Sequence, residues 1–151
     1  MRKILIGAAV LASLMAGAAQ AQGVPVDRSI KYRQSALTVM STSFGRIGGY
    51  IKGDVKLDQA ALYANAETVD LMAKFAFDGF HQGTEQSSGA TKAKPEIWKE
   101  WDKFKKLQGD LQAATGKLVE ASKGTDMKAL QAAFGQAGQS CKACHDAYRA
   151  Q

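Results

Sequence analysis

The chain has 151 residues, 46% of them apolar and 23% charged, and a formal net charge of +6. That composition suits one domain with a hydrophobic core. Lysines alternate with acids along helical stretches, as on a solvated face, so the modest positive balance demands no nucleic-acid partner.

The first 21 residues differ from the rest. Arg2 and Lys3 precede an apolar run from Ile4 to about Ala16, and Ala19-Gln20-Ala21 closes it. This is the pattern of a cleaved secretory signal. A membrane anchor would need a longer run, poorer in Ala and Gly. Cleavage after Ala21 removes two basic residues and no acid, which lowers the charge from +6 to +4. The mature chain, residues 22–151, is then a single exported domain. No later stretch is long and apolar enough to span a bilayer, so no membrane association is expected after cleavage.

Four helical patterns follow. In the first, Asp27 is expected to cap a helix that carries Ile30, Leu37, Phe44 and Ile51 at intervals of seven. Arg33, Met40 and Ile47 form a second row. Arg33 is the odd member, since a charge on such a row needs a partner or must reach the surface. Gly45, Gly48 and Gly49 weaken the helix and permit close approach of another helix. The second pattern starts at Asp58, carries Leu62, Ala66, Val69, Met72 and Ala76, and stops at Asp78-Gly79. A polar, glycine-rich loop then runs to Lys94, longer than is usual in a compact domain.

Pro95 suits the first turn of the third helix. Ile97, Trp101, Phe104, Leu111 and Leu118 share one face of it, and Gly124 is expected to stop it. Thr125 opens the fourth, where Met127, Phe134, Cys141 and Tyr148 alternate with Leu130, Ala137 and Cys144 in two rows. Four amphipathic helices with mostly short connections predict an all-α protein, an antiparallel up-down-up-down four-helix bundle.

Cys141 and Cys144 are the only cysteines, and His145 follows directly. A disulfide across three helical residues closes a small ring and staples nothing distant. A thioredoxin-like dithiol needs a βαβ context that is absent here. Structural zinc wants four ligands, and the only other histidine, His81, is read as a solvent residue of the loop. The remaining reading is C-x-x-C-H, the attachment site of a covalent haem. At about 100° per residue, Cys144 and His145 fall within roughly 60° of Cys141 on the helix. Two thiols can thus bond the vinyl groups while the imidazole reaches the iron. Trp98 and Tyr148 are candidate pocket aromatics.

These residues also carry a family likeness. With "KYRQSALTVM" and "FGRIG" in the first helix, "KPEIW" after the loop and "AAFGQAGQSCKACHDAYR" at the end, the mature chain resembles cytochrome c prime, a class II c-type cytochrome. The resemblance implies a dimeric four-helix bundle, paired through the first two helices, with one haem c. It implies iron held by His145 alone, open to nitric oxide and carbon monoxide. In the same terms Arg33 bonds a haem propionate, Leu37 stands over the iron, and Arg149 stands beside His145 and influences how nitric oxide binds. The resemblance thus implies a periplasmic gas-binding protein with a redox partner still to be identified, not an enzyme. The alternative is a low-spin electron carrier in which Met40, on the stripe next to Leu37, supplies a sixth ligand.

Overall fold

The computed structural model describes residues 25–85 and 91–151. The signal read in residues 1–21 lies outside the described residues. Four long helices make the bundle: α1 (Val26–Lys52), α2 (Gln59–Phe75), α4 (Trp101–Ser122) and α5 (Met127–Tyr148). A 3-10 turn, Ala76–Gly79, prolongs α2, and a single turn, α3 (Glu96–Lys99), precedes α4. Neighbours in sequence pack antiparallel, as the pattern predicts.

The helix ends show which local signals act. Asp58 caps α2, accepting from the backbone N–H groups of Ala60 and Ala61. Gly53, at φ 79°, takes the left-handed position that ends α1, and its N–H bonds Tyr50 O while Asp54 N–H bonds Gly49 O. Three expectations are corrected. Asp27 does not cap α1: the helix begins two residues earlier than that cap would set, after Pro25, and Asp27 sits in the first turn, where its charge favours the helix dipole. Gly124 does not stop α4, which ends at Ser122 where the side chain of Gln59 bonds the Ser122 and Gly124 carbonyls. The cap of α5 is Asp126, not Thr125, and it accepts from Lys128 and Ala129 N–H.

The third helix is also broken. At Glu100 the backbone leaves helical values (φ −111°, ψ 41°), and the Glu100 carboxylate receives the hydroxyl of Tyr148 at 2.8 Å. Periodicity cannot register such a break, because Ile97 and Phe104 stay buried on both sides of it.

Met40, Ile47, Leu62, Leu111, Leu118, Leu130 and Ala137 are among the residues of the main core. A second, aromatic cluster of Ile97, Phe104 and Tyr148 fills the end where the 3-10 turn and α3 lie. Gly48 does admit another helix, but within the chain: it lies against Phe134 of α5.

Gly79 makes the tightest contact. A Cβ there would stand 2.7 Å from both Arg33 Cβ and the Ser29 carbonyl oxygen, so only glycine lets the 3-10 turn touch α1. Gly79→Ala is expected to destabilise the haem-loaded protein by about 1–3 kcal/mol in denaturant unfolding, the range for overpacking a dense core. An unchanged midpoint would show that α1 yields freely at this contact.

Candidate functional site

α1 and α5 part toward the N-terminus of α1, and a cavity of about 860 Å³ opens between them, walled on the inside by α2 and α4. Cys141, Cys144 and His145 line it from the last two turns of α5. Leu37, Met40 and Phe44 line it from α1, and Phe77, Phe80, Phe104 and Leu111 form the inner wall. The structure thus gathers Arg33, Leu37, Cys141, Cys144, His145 and Arg149 around one space.

Both thiols are free and half-buried. Burial raises both thiol pKa values, and Cys144, with the neighbouring Cys141 adding to the effect, is pushed up to about 11. Each is therefore a neutral thiol at ordinary pH. For His145, burial and then the charge of Arg149 lower the pKa, opposed in part by Asp146. The imidazole is thereby kept neutral, with a lone pair free to coordinate iron.

Arg33 is 1% exposed. Its guanidinium donates to Gly79 O at 3.1 Å, Thr84 Oγ1 at 3.3 Å and Thr91 Oγ1 at 3.1 Å, and lies 4.4 Å from the centre of the Phe80 ring. These partners are all uncharged, and burial lowers the arginine's pKa. Arg33 does not snorkel to the surface. It borders the cavity as a buried cation, a fitting neighbour for an anionic group.

Arg149 closes α5: its own backbone is extended (φ −112°, ψ 127°), but its N–H still bonds His145 O at 3.0 Å, one helical turn back as the sequence reading has it. It is held there by an isolated antiparallel bridge to Ala93, with Lys94 N–H bonding Tyr148 O and Ala150 N–H bonding Lys92 O. His81 is no solvent residue: its Nε2 meets Ser29 Oγ at 2.8 Å and its Nδ1 meets Gln82 O at 2.9 Å. Because Nδ1 faces a carbonyl it carries the proton, so Nε2 accepts from the Ser29 hydroxyl. Of the two candidate aromatics, Tyr148 borders the cavity. The Trp98 indole instead donates to His81 O at 3.0 Å, outside the lining.

Of the inner wall, the periodicity marks only Phe104 and Leu111, as core, and singles out neither Phe77 nor Phe80. Thr91 and Lys92, which also line the cavity, gave no sequence signal at all.

A haem fits this donor set. Two neutral thiols and a neutral imidazole share one rim of an apolar chamber, and a buried guanidinium without a carboxylate partner among the described residues stands beside it. Among the described residues no group of three or more His, Cys, Asp or Glu is arranged to hold a bare metal ion. Replacing Cys141 and Cys144 together by Ala is expected to leave no haem on the polypeptide after acid denaturation and solvent extraction. Haem that survives extraction would overturn the thioether reading.

Comparison with known proteins agrees. The family profile of cytochrome c prime matches residues 28–149. Cytochrome c prime of Alcaligenes xylosoxydans xylosoxydans is 43% identical over 123 residues, covering 82% of this chain and 94% of that protein. The structure of cytochrome c prime from Shewanella frigidimarina aligns with a TM-score of 0.79 at 31% identity, over 84% of this chain and 98% of its own. A nitric oxide complex of a leucine-to-alanine mutant of cytochrome c prime from Alcaligenes xylosoxidans aligns with a TM-score of 0.77 at 39% identity, over 85% and 98%. The chain belongs to the cytochrome c prime family, whose covalently bound haem c is the cofactor that Cys141, Cys144 and His145 are placed to hold.

Proposed function

We propose that this protein is an exported, periplasmic haem protein in which His145 is the only protein ligand of a high-spin, five-coordinate iron, and that it binds nitric oxide and carbon monoxide at the open position. It acts by binding, with electron transfer to a redox partner as a second capacity, rather than as an enzyme. The observation that carries the reading is the α1 wall. Leu37, half-buried, faces the cavity with an apolar side chain that can neither coordinate iron nor donate a hydrogen bond. Met40 borders the same space but is 8% exposed and belongs to the packed core of Ile47, Leu62 and Val69. The nitric oxide complex of a family member supports the choice of ligand.

When bound, the haem supplies the iron position at which a diatomic ligand is taken up. The chain supplies the rest. Cys141 and Cys144 would add their S–H groups across the vinyl double bonds and tether the cofactor, which would keep it on an exported protein. Arg33, a cation already desolvated and held by neutral acceptors, would pair with a propionate. Leu37 excludes water and offers no donor, which disfavours dioxygen, a ligand that gains from a hydrogen bond. Arg149, set beside His145 by the bridge to Ala93, is placed to act on a ligand approaching from the His145 side.

Export rests on the leader pattern of residues 1–21. Among the described residues no helix is long and apolar enough to cross a membrane. A homodimer is supported by the outer face of α1 and α2, where Tyr32, Val39, Leu71 and Phe75 are each more than 40% exposed. The helical positions of these four flank the α1–α2 seam, away from the cavity, and large exposed apolar groups in one strip mark an interface.

Ligand entry must push Leu37 aside, at a packing cost of about 1–3 kcal/mol. Leu37→Ala is therefore expected to raise the carbon monoxide association rate about tenfold or more, followed by absorbance after rapid mixing. An unchanged rate would show that this leucine does not guard the iron. A six-coordinate wild-type spectrum that Met40→Leu converts to five-coordinate would establish the electron-carrier alternative instead.

For the dimer, the wild-type protein is expected to sediment as a dimer at micromolar concentration and Leu71→Lys as a monomer. Wild-type protein that sediments only as a monomer would refute the pairing.

A further inference from the structure

The sequence Phe-Gly-x-x-Gly occurs twice, at Phe44–Gly48 on α1 and at Phe134–Gly138 on α5. The two copies meet. The rings of Phe44 and Phe134 stack with centroids 4.1 Å apart and planes 9° from parallel. Each ring also lies over the second glycine of the other helix. A Cβ on Gly138 would stand 3.7 Å from Phe44 Cζ, and one on Gly48 would stand 3.2 Å from Phe134 Cζ.

The spacing has a geometric reason. Side chains on a helix lean toward its N-terminus. Because α1 and α5 are antiparallel, Phe44 leans toward the part of α5 that follows Phe134, and Gly138 lies one turn along it. The same relation seats Phe134 on Gly48. The two helices therefore form a reciprocal clasp, a ring from each resting in a glycine notch of the other.

Only one half of the clasp faces the cavity. Phe44, Gly45 and Gly138 line it, whereas Phe134 and Gly48 do not. Phe44 is seven residues beyond Leu37, on the same stripe of α1. The two residues differ in support: Leu37 has no stacked ring behind it, while Phe44 is backed by Phe134 and has its tip in the Gly138 notch.

We propose that Phe44, fixed by this clasp, sets the size limit of the ligand chamber: Leu37 controls entry and Phe44 determines how bulky a ligand the chamber accepts. The inference rests on the gas-binding reading above. Phe44 brings no hydrogen-bonding group to the wall, so its selection acts on volume alone. Diatomic ligands fit in front of it, and branched ones meet a ring that cannot step back.

The test uses the ferrous haem-loaded protein with carbon monoxide and with methyl, ethyl and tert-butyl isocyanide, neutral ligands of graded bulk, read by absorbance. The variants are Leu37→Ala, Phe44→Ala, Phe44→Leu and Phe134→Leu. Phe44→Ala is expected to strengthen tert-butyl isocyanide binding about tenfold or more relative to carbon monoxide. Phe134→Leu, which leaves the wall but removes its backing, should move the isocyanide in the same direction by less. Leu37→Ala should instead speed every ligand, carbon monoxide included. A second readout needs no ligand: the drops in thermal midpoint caused by Phe44→Leu and Phe134→Leu should be less than additive when combined, as for residues in direct contact.

If Phe44→Ala does not fold with its haem, Phe44→Leu carries the same comparison. Lowered midpoints with an unchanged isocyanide-to-carbon monoxide affinity ratio would overturn the proposal and leave the clasp as packing alone. Failure of the wild-type protein to bind carbon monoxide, or an unchanged rate in Leu37→Ala, would count against the gas-binding reading itself, on variants in which the clasp is intact.

Discussion

A guanidinium taken out of water must have its N–H groups met one by one, and Arg33 imposes that condition on the whole loop side of the molecule. Its acceptors come from the end of the 3-10 turn, from Thr84 and from Thr91, which lie 46, 51 and 58 residues away from it in sequence. Meeting them fixes both ends of the long connection between α2 and α3. The middle of the near arm is then fixed by His81, which bonds Ser29 through its ring and Trp98 through its carbonyl. The far arm, once Thr91 is held, presents Lys92 and Lys94 to the end of α5. A buried charge on the first helix is thus linked, contact by contact, to the turn that carries His145.

The bundle is correspondingly uneven. Where Phe44 and Phe134 stack, α1 and α5 touch directly. Toward the N-terminus of α1 they separate, and the space between them is the cavity. Tyr148 stands at that open end within the second cluster: its ring meets Phe104 edge-on, and its hydroxyl bonds Glu100. Burial, reinforced by the bond to Glu100, raises the Tyr148 pKa to about 12, so the hydroxyl remains a donor at any ordinary pH. The break at Glu100 and the end of α5 are therefore one feature, seen from two helices.

How much of this could be read from the sequence follows from how local each cause is. The four helices and the Asp58 cap are written in periodicity and in residues whose effect reaches only a few positions, and they were legible. The C-x-x-C-H motif was legible for the same reason, since its geometry is that of a single helix. Arg33 was legible as an anomaly, a charge on an apolar stripe, but its acceptors were not, because nothing in a chain marks Thr84 and Thr91 as neighbours of residue 33. The break at Glu100 escaped because nothing local marks it: Ile97 and Phe104 keep one stripe, and the Tyr148 hydroxyl that its carboxylate accepts lies 48 residues away. The role assigned to His81 failed likewise: a lone polar residue in a polar loop looks solvated until Ser29 and Trp98 are brought to it. Gly124 was misread in the opposite sense, since a local stop signal was pre-empted by the Gln59 side chain reaching over from α2.

The size of the cavity bears on what holds the fold together. A chamber of about 860 Å³ filled with water would leave the aromatic wall of Phe77, Phe80 and Phe104 wet, which forfeits their burial. The bundle geometry is thus sustained by a large flat apolar group occupying this space. The tether then has a thermodynamic meaning beyond retention. Because Cys141 and Cys144 sit on the two rows of α5 that face the core, attaching the group there delivers it already oriented into the gap between α1 and α5. Covalent attachment turns the filling of the cavity from a bimolecular step into part of the folding of one chain, and the closure of α1 over the haem becomes the packing of a helix onto its own core.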